Sequence, residues 1–195
     1  MISLVIGLGN VGPKYARTRH NLGFSVIDKL LQAPGAAKQT NLSSVDVFIK
    51  LLSDKEIVLA KPTTLVNLSG HAVSDLLDNF QLSIKDTLIV LDDFNLPLGQ
   101  VRLRTSGSDG GHNGLRSIIQ TLGHENFARL RLGIGPLPET ISVVDFVLGR
   151  FLDSETENAA KMVDMAAQAV ILATEHPLHK VMLQLNSNPA QPENH

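Results

Sequence analysis

The chain has 195 residues and a mass of 21.1 kDa, a size at which one hydrophobic core, and so one domain, is expected. At 43% hydrophobic and 18% charged residues it is not a disordered chain, and its lack of cysteine excludes disulfides, thiolate metal centres and cysteine catalysis. The net charge of −2 hides an asymmetry: residues 153–195 hold six acids and two bases, so a polyanion site is expected in the first three quarters of the chain.

The run 2–8 is apolar throughout, the pattern of a strand buried on both faces, and it leads into a glycine loop ending at Pro13. Asn21 is placed to cap a helix that carries Phe24, Ile27, Leu30 and Leu31 on one face. Residues 33–44, rich in Pro, Gly, Ala, Asn and Ser, read as a surface loop. Segments 45–52 and 57–61 flank a turn at 53–56 and predict a hairpin. A helix opening at 67–70 carries Val73, Leu76, Leu77 and Phe80, and 87–91 is a second buried strand ending at Asp92 and Asp93. Then come a short strand at 101–104, a glycine loop at 107–111, a helix at 113–122 and strands at 130–135 and 143–148. Ser154, with Glu157 three residues on, is a capping box for a helix to about Thr174, and 187–195 is expected to be a disordered tail. Strands alternating with helices predict the α/β class: one domain over 1–186, with a twisted, mixed, largely parallel sheet flanked by helices. Such sheets bind ligands beyond the carboxyl ends of their strands, and the polar clusters of this sequence lie there. No apolar run is long enough to span a bilayer, and the first residues lack the basic segment and cleavage site of a signal peptide, so a cytoplasmic protein is expected.

Gly7-x-Gly9-x-x-Gly12 after a strand invites a dinucleotide reading. Pro13 follows the third glycine, however, and Asp28 lies inside the helix rather than at the end of a second strand, so no nicotinamide or flavin cofactor is expected. His20 alone reads as a loop or capping residue. Asp92 changes that, because a carboxylate ending an apolar strand is costly to bury unless paired. A carboxylate that accepts from one imidazole nitrogen fixes the tautomer and leaves the other nitrogen as a general base for water. Asn10, Asn67 and Asn113 all lie beside glycines or helix starts. Each alone is an ordinary cap; together they form an amide-rich pocket suited to a peptide backbone and a developing oxyanion. No Gly-x-Ser-x-Gly elbow is present, so a covalent serine route has no support. His20, His112 and Asp92 have the residue types of a two-histidine, one-carboxylate metal site but not the spacing of a helix-borne motif, and no metal is expected. Arg102 with Arg104, and Arg129 with Arg131, alternate on two strands, while Lys14, Arg17 and Arg19 flank His20. These bases read either as solvated strand edges or as a phosphate clamp beside the polar pocket.

Seven collinear motifs from residue 2 to about 186 resemble the bacterial peptidyl-tRNA hydrolases. They are Gly7-Leu-Gly-Asn10-x-Gly-x-x-Tyr15-x-x-Thr-Arg19-His20-Asn21-x-Gly23, Lys61-Pro-Thr-Thr-x-x-Asn67-x-Ser-Gly70, Asp92 at its strand end, Leu96-Pro-x-Gly99, Gly110-Gly-His-Asn113-Gly-Leu, Arg131-x-Gly-Ile-Gly135 and Phe146-Val-Leu-Gly149. The resemblance implies an esterase that cleaves a peptide, or an N-blocked amino acid, from the 3′-terminal ribose of tRNA without metal or cofactor, freeing tRNA from peptidyl-tRNA that dropped off the ribosome. It implies His20 as catalytic base, Asp92 as the acid orienting it, and Asn10 as a third catalytic group. Tyr15, Asn67, His112 and Asn113 are implied in substrate binding, and Arg102, Arg104 and Arg131 at a tRNA phosphate. The implied partner is the acceptor stem and 3′ end of peptidyl-tRNA; seven Phe, one Tyr and no Trp leave little aromatic material for a large interface, so a monomer is expected. The alternative is a non-catalytic RNA-binding homologue, against which Asn10, His20 and Asp92 are all retained. Val11, Val66 and Asn95 depart from the residues common in the family, and the segment 136–142 lacks its usual lysines.

Overall fold

The computed structural model describes residues 1–187, so the expected tail lies outside the described residues apart from Ser187. Strand β1 (Leu4–Gly7) leads to helix α1 (Leu22–Gln32), followed by β2 (Ala37–Leu42), β3 (Val45–Leu52), β4 (Lys55–Pro62) and α2 (Ser69–Phe80). Then come β5 (Thr87–Pro97), β6 (Val101–Arg104), α3 (Asn113–Leu122), β7 (Ala128–Gly135), α4 (Val143–Leu148), α5 (Asp153–Glu175) and α6 (Leu178–Asn186). The seven strands form one sheet in the order β2-β3-β4-β1-β5-β7-β6. Its centre, β4-β1-β5-β7, is parallel, and β2, β3 and β6 add antiparallel edges. The mixed, largely parallel sheet expected from the sequence is present.

The apolar runs are continuous because both faces of the sheet are covered. Val5, Leu88, Val90, Leu130 and Leu132 pack with Val26 and Ile27 of α1 and Met162, Ala166 and Val170 of α5. Their neighbours Leu4, Ile6, Ile89 and Leu91 point the other way, onto Val73 and Leu76 of α2 and Leu115 and Ile118 of α3. Helix α1 presses its first turn against the end of β1. A Cβ on Gly7 would lie 2.3 Å from the Gly23 carbonyl oxygen, and one on Gly23 would lie 2.4 Å from the Leu8 nitrogen. That close approach brings the chain before α1 to the carboxyl end of the sheet. Lys50 is buried and donates to the carbonyls of Leu31, Ala33 and Gly35, which closes the C-terminal end of α1. Among the described residues no helix is long and apolar enough to cross a membrane.

Four local expectations are corrected. The segment 143–148 is helix α4, not a strand: Ser142 accepts the Asp145 N–H at its start, and Phe146 is the one buried residue of the turn. Residues 37–42 are not loop but the edge strand β2, paired to β3. Its alternating pattern is missing because Lys38, Gln39 and Thr40 are exposed, so no face demanded apolar residues. The hairpin turn is two residues long, Ser53 and Asp54 at φ 48° and 61°, the primed geometry that matches strand twist. Helix α5 starts at Asp153, and Glu155, not Glu157, accepts the N–H of Leu152.

Candidate active site

Strands β1 and β5 run parallel with Gly7 beside Val90, so their carboxyl ends open to the same side. Beyond β1, residues 8–18 form an irregular loop, and a 3₁₀ turn, Arg19–Asn21, precedes α1. Asp92 stands at the matching height on β5 and is 1% exposed. His20 Nδ1 donates to its Oδ1 at 2.8 Å. The buried His112, just before α3, approaches the same oxygen through Nε2 at 3.2 Å. The other nitrogen of His112 accepts the Leu115 N–H at 3.2 Å, so that nitrogen carries no proton and Nε2 is the donor. His112, not Asn113, is thus the cap of α3, while Asn67 lies in a 3₁₀ turn ahead of α2.

This network fixes the chemistry of each group. The two imidazole rings are 4.8 Å apart, with one carboxylate between their donors. Burial pushes the Asp92 carboxyl up, but the charges and hydrogen bonds of His20 and His112 outweigh it and hold the group far below the usual carboxylate range. Burial pushes His20 down, yet the Asp92 charge and hydrogen bond leave its pKa above the ordinary 6.5. With Nδ1–H on Asp92, His20 presents Nε2 as its lone-pair nitrogen, and that nitrogen has no partner among the described residues. His20, Asp92 and His112 also have donor atoms within 4.8 Å of one another, the spacing at which an ion can be shared. Here those atoms are hydrogen-bonded to each other.

Asn10 is held on three sides. Its N–H donates to Asn21 Oδ1 and its carbonyl accepts from Asn21 Nδ2, both at 2.9 Å. Its side-chain oxygen accepts the Val66 N–H at 3.1 Å, which leaves the Nδ2 donor without a partner among the described residues. Asn21 therefore does not cap α1, as its position suggested, but locks the loop that presents Asn10. Asn67 and Asn113 are exposed, and Asn113 Oδ1 accepts from Arg116 at 3.3 Å. Tyr15 is half-buried in the β1 loop.

The arginines divide. Arg131 is paired with Asp93, and Arg102 is buried and donates to the Asn186 carbonyl. Arg129 is buried over the Phe127 ring and donates to the Gly107, Ser108 and Glu125 carbonyls; burial pushes its pKa down to about 10, still charged at neutral pH. Arg104 is exposed and has no partner among the described residues. Arg19, grouped with the exposed bases in the sequence, is buried. A cavity of about 690 Å³ between α1 and α5 is lined by Arg17, one of the bases flanking His20, but by none of the catalytic, substrate-binding or phosphate-binding residues that the resemblance implies. Asn21, Asp93 and the Val66 N–H escaped the sequence reading as site-building groups. Asn21 had a signal, its place beside His20; a backbone N–H has none.

A family profile described as peptidyl-tRNA hydrolase matches residues 4–193. The chain is 46% identical over 183 residues to a peptidyl-tRNA hydrolase of Kosmotoga olearia, covering 93% of this chain and 96% of that one. It is 39% identical over 184 residues to the Bacillus subtilis peptidyl-tRNA hydrolase, covering 94% and 98%. The crystal structure of peptidyl-tRNA hydrolase from Acinetobacter baumannii superposes with a TM-score of 0.88 at 33% identity, covering 95% of each chain.

Proposed function

The chain belongs to the peptidyl-tRNA hydrolase family, and from that premise we propose the reaction its own residues carry out: hydrolysis of the ester between a peptide and the 3′-terminal ribose of tRNA. His20 Nε2 takes a proton from water as the water attacks the ester carbonyl. Asp92 keeps the Nδ1–H in place and stabilises the imidazolium that forms. The tetrahedral oxyanion is met by neutral amides, the Asn10 Nδ2 donor first and Asn113 second. Collapse breaks the bond to the ribose oxygen, which takes the proton back from His20, and peptide acid and tRNA leave. The observation that carries this reading is the buried 2.8 Å His20–Asp92 pair, which leaves His20 Nε2 without a partner among the described residues. It supplies a base raised above 6.5 with its active nitrogen directed at no internal partner.

His112 supports the site from the other side of Asp92, and Tyr15 and Asn67 border the substrate. Arg104 is the base free to meet a tRNA phosphate; Arg102 and Arg131 support that region from internal pairs. The enzyme acts as a cytoplasmic monomer on the acceptor stem and 3′ end. The test is release of N-acetyl-aminoacyl groups from purified tRNA with EDTA present, comparing wild type with His20→Ala. Release by wild type and a loss of about 10²–10⁴-fold in the variant are expected. Equal turnover by the variant would remove His20 as the base. Binding of tRNA without release by either would favour the non-catalytic homologue.

A further inference from the structure

Arg19 stands next to the proposed base but does not face the reaction. Its side chain is 8% exposed and lies between two aromatic rings, 4.7 Å from the Phe146 centroid and 5.0 Å from that of Phe151. Nη2 donates to Glu155 Oε2 at 2.7 Å, and Nη1 donates to the Arg150 carbonyl. The same Glu155 oxygen accepts the Leu152 N–H, which opens α5. The backbone adds two ties: Arg19 N–H donates to the Gly149 carbonyl at 2.9 Å, and Thr18 bridges to Arg150. On the other side of His20, Asn21 is locked to the Asn10 backbone. The 3₁₀ turn is thus clamped at both ends, and His20 is the residue between the clamps.

We infer that Arg19 is a positioning residue, whose guanidinium fork ties the His20 turn to the α4–α5 junction and sets the imidazole against Asp92. The planar, stacked guanidinium serves two acceptors at fixed angles, which a lysine ammonium does not reproduce. The contact spans 136 residues of sequence, so the rigidity of the long helix α5 is transmitted to the base. Displacements of about 1 Å at a reacting group lower rates by as much as 10²-fold. The groups that face His20 are Asp92 from β5 and His112 from the residue before α3; Arg19 reaches it only through the backbone.

The inference rests on His20 being the base, and the experiment separates the two. Arg19→Lys and Glu155→Gln are compared with wild type and His20→Ala by steady-state hydrolysis, by melting temperature, and by NMR of the His20 ring. Arg19→Lys is expected to lose roughly tenfold or more in kcat with KM within about twofold, and to move the His20 ring signals as contact with Asp92 loosens. Glu155→Gln keeps an acceptor for both donors, and a loss of only about two- to threefold is expected. A folded Arg19→Lys with wild-type kcat and wild-type His20 signals would overturn the inference, as would a lower melting temperature with both unchanged. If Arg19→Lys does not fold, Glu155→Ala, which leaves Arg19 in place but removes its acceptor, decides by the same two readouts. Wild-type turnover in His20→Ala would instead refute the base, while the ring signals still decide whether Arg19 positions His20.

Discussion

Replacing Asp92 by asparagine isolates the charge behind the base. The amide oxygen still accepts from both His20 and His112, which now share Oδ1, and the 1% exposure of Asp92 keeps it from touching substrate. What disappears is the attraction between carboxylate and forming imidazolium. At a separation of about 4 Å and an effective dielectric near 20, that attraction is about 4 kcal/mol, close to 10³-fold in rate. The pH dependence moves as well. Rate follows neutral His20, so in wild type the acid limb inflects above 6.5, where Asp92 has raised the imidazole. In Asp92→Asn the raising charge is lost and only a weaker hydrogen bond to a neutral amide oxygen still opposes burial, so the inflection moves to lower pH than in wild type. Hydrolysis of N-acetyl-aminoacyl-tRNA between pH 5 and 9 should therefore give kcat lower by about 10²–10³-fold, KM nearly unchanged, and a limb displaced to lower pH. A variant within threefold of wild type, with its acid limb in place, would show that Asp92 is structural.

Three further outcomes follow from the same geometry. Asn10→Ala removes the free amide donor and leaves the Val66 N–H without its acceptor; kcat should fall by about 10²-fold, and a change confined to KM would count against an oxyanion role. Arg104→Ala should raise KM and reduce the dependence of tRNA binding on salt by about one phosphate contact, with kcat unchanged; identical salt slopes would place the phosphate elsewhere. Lys50→Met leaves the carbonyls of Leu31, Ala33 and Gly35, at and just beyond the end of α1, without their ammonium donor. Stability should drop by about 2–3 kcal/mol, seen as a melting temperature lower by roughly 5–10 °C, with turnover intact; unchanged melting would mean that solvent serves those carbonyls equally well.

Continuous apolar runs made the central strands visible in the sequence, because a sheet covered on both faces needs apolar residues at every position, and Leu4 to Ile6 and Leu88 to Leu91 satisfy that. The same logic failed at β2, where the exposed residues 37–40 impose no pattern, and at α4, where β-branched Val143 and Val144 are exposed and only one side chain of the turn is buried. Residue chemistry, together with the resemblance it carried, singled out His20, Asp92 and the asparagines before any coordinates. Their contacts join residues 72 apart for His20 and Asp92 and 56 apart for Asn10 and Val66, separations that no local pattern encodes. Local sequence also marked every arginine as equally basic. Only packing distinguished the exposed Arg104 from Arg131 neutralised by Asp93, Arg102 covered at the end of α6, and Arg19 buried between two rings. Charge is a property of a residue, but whether that charge is free to meet a ligand depends on what the fold brings against it.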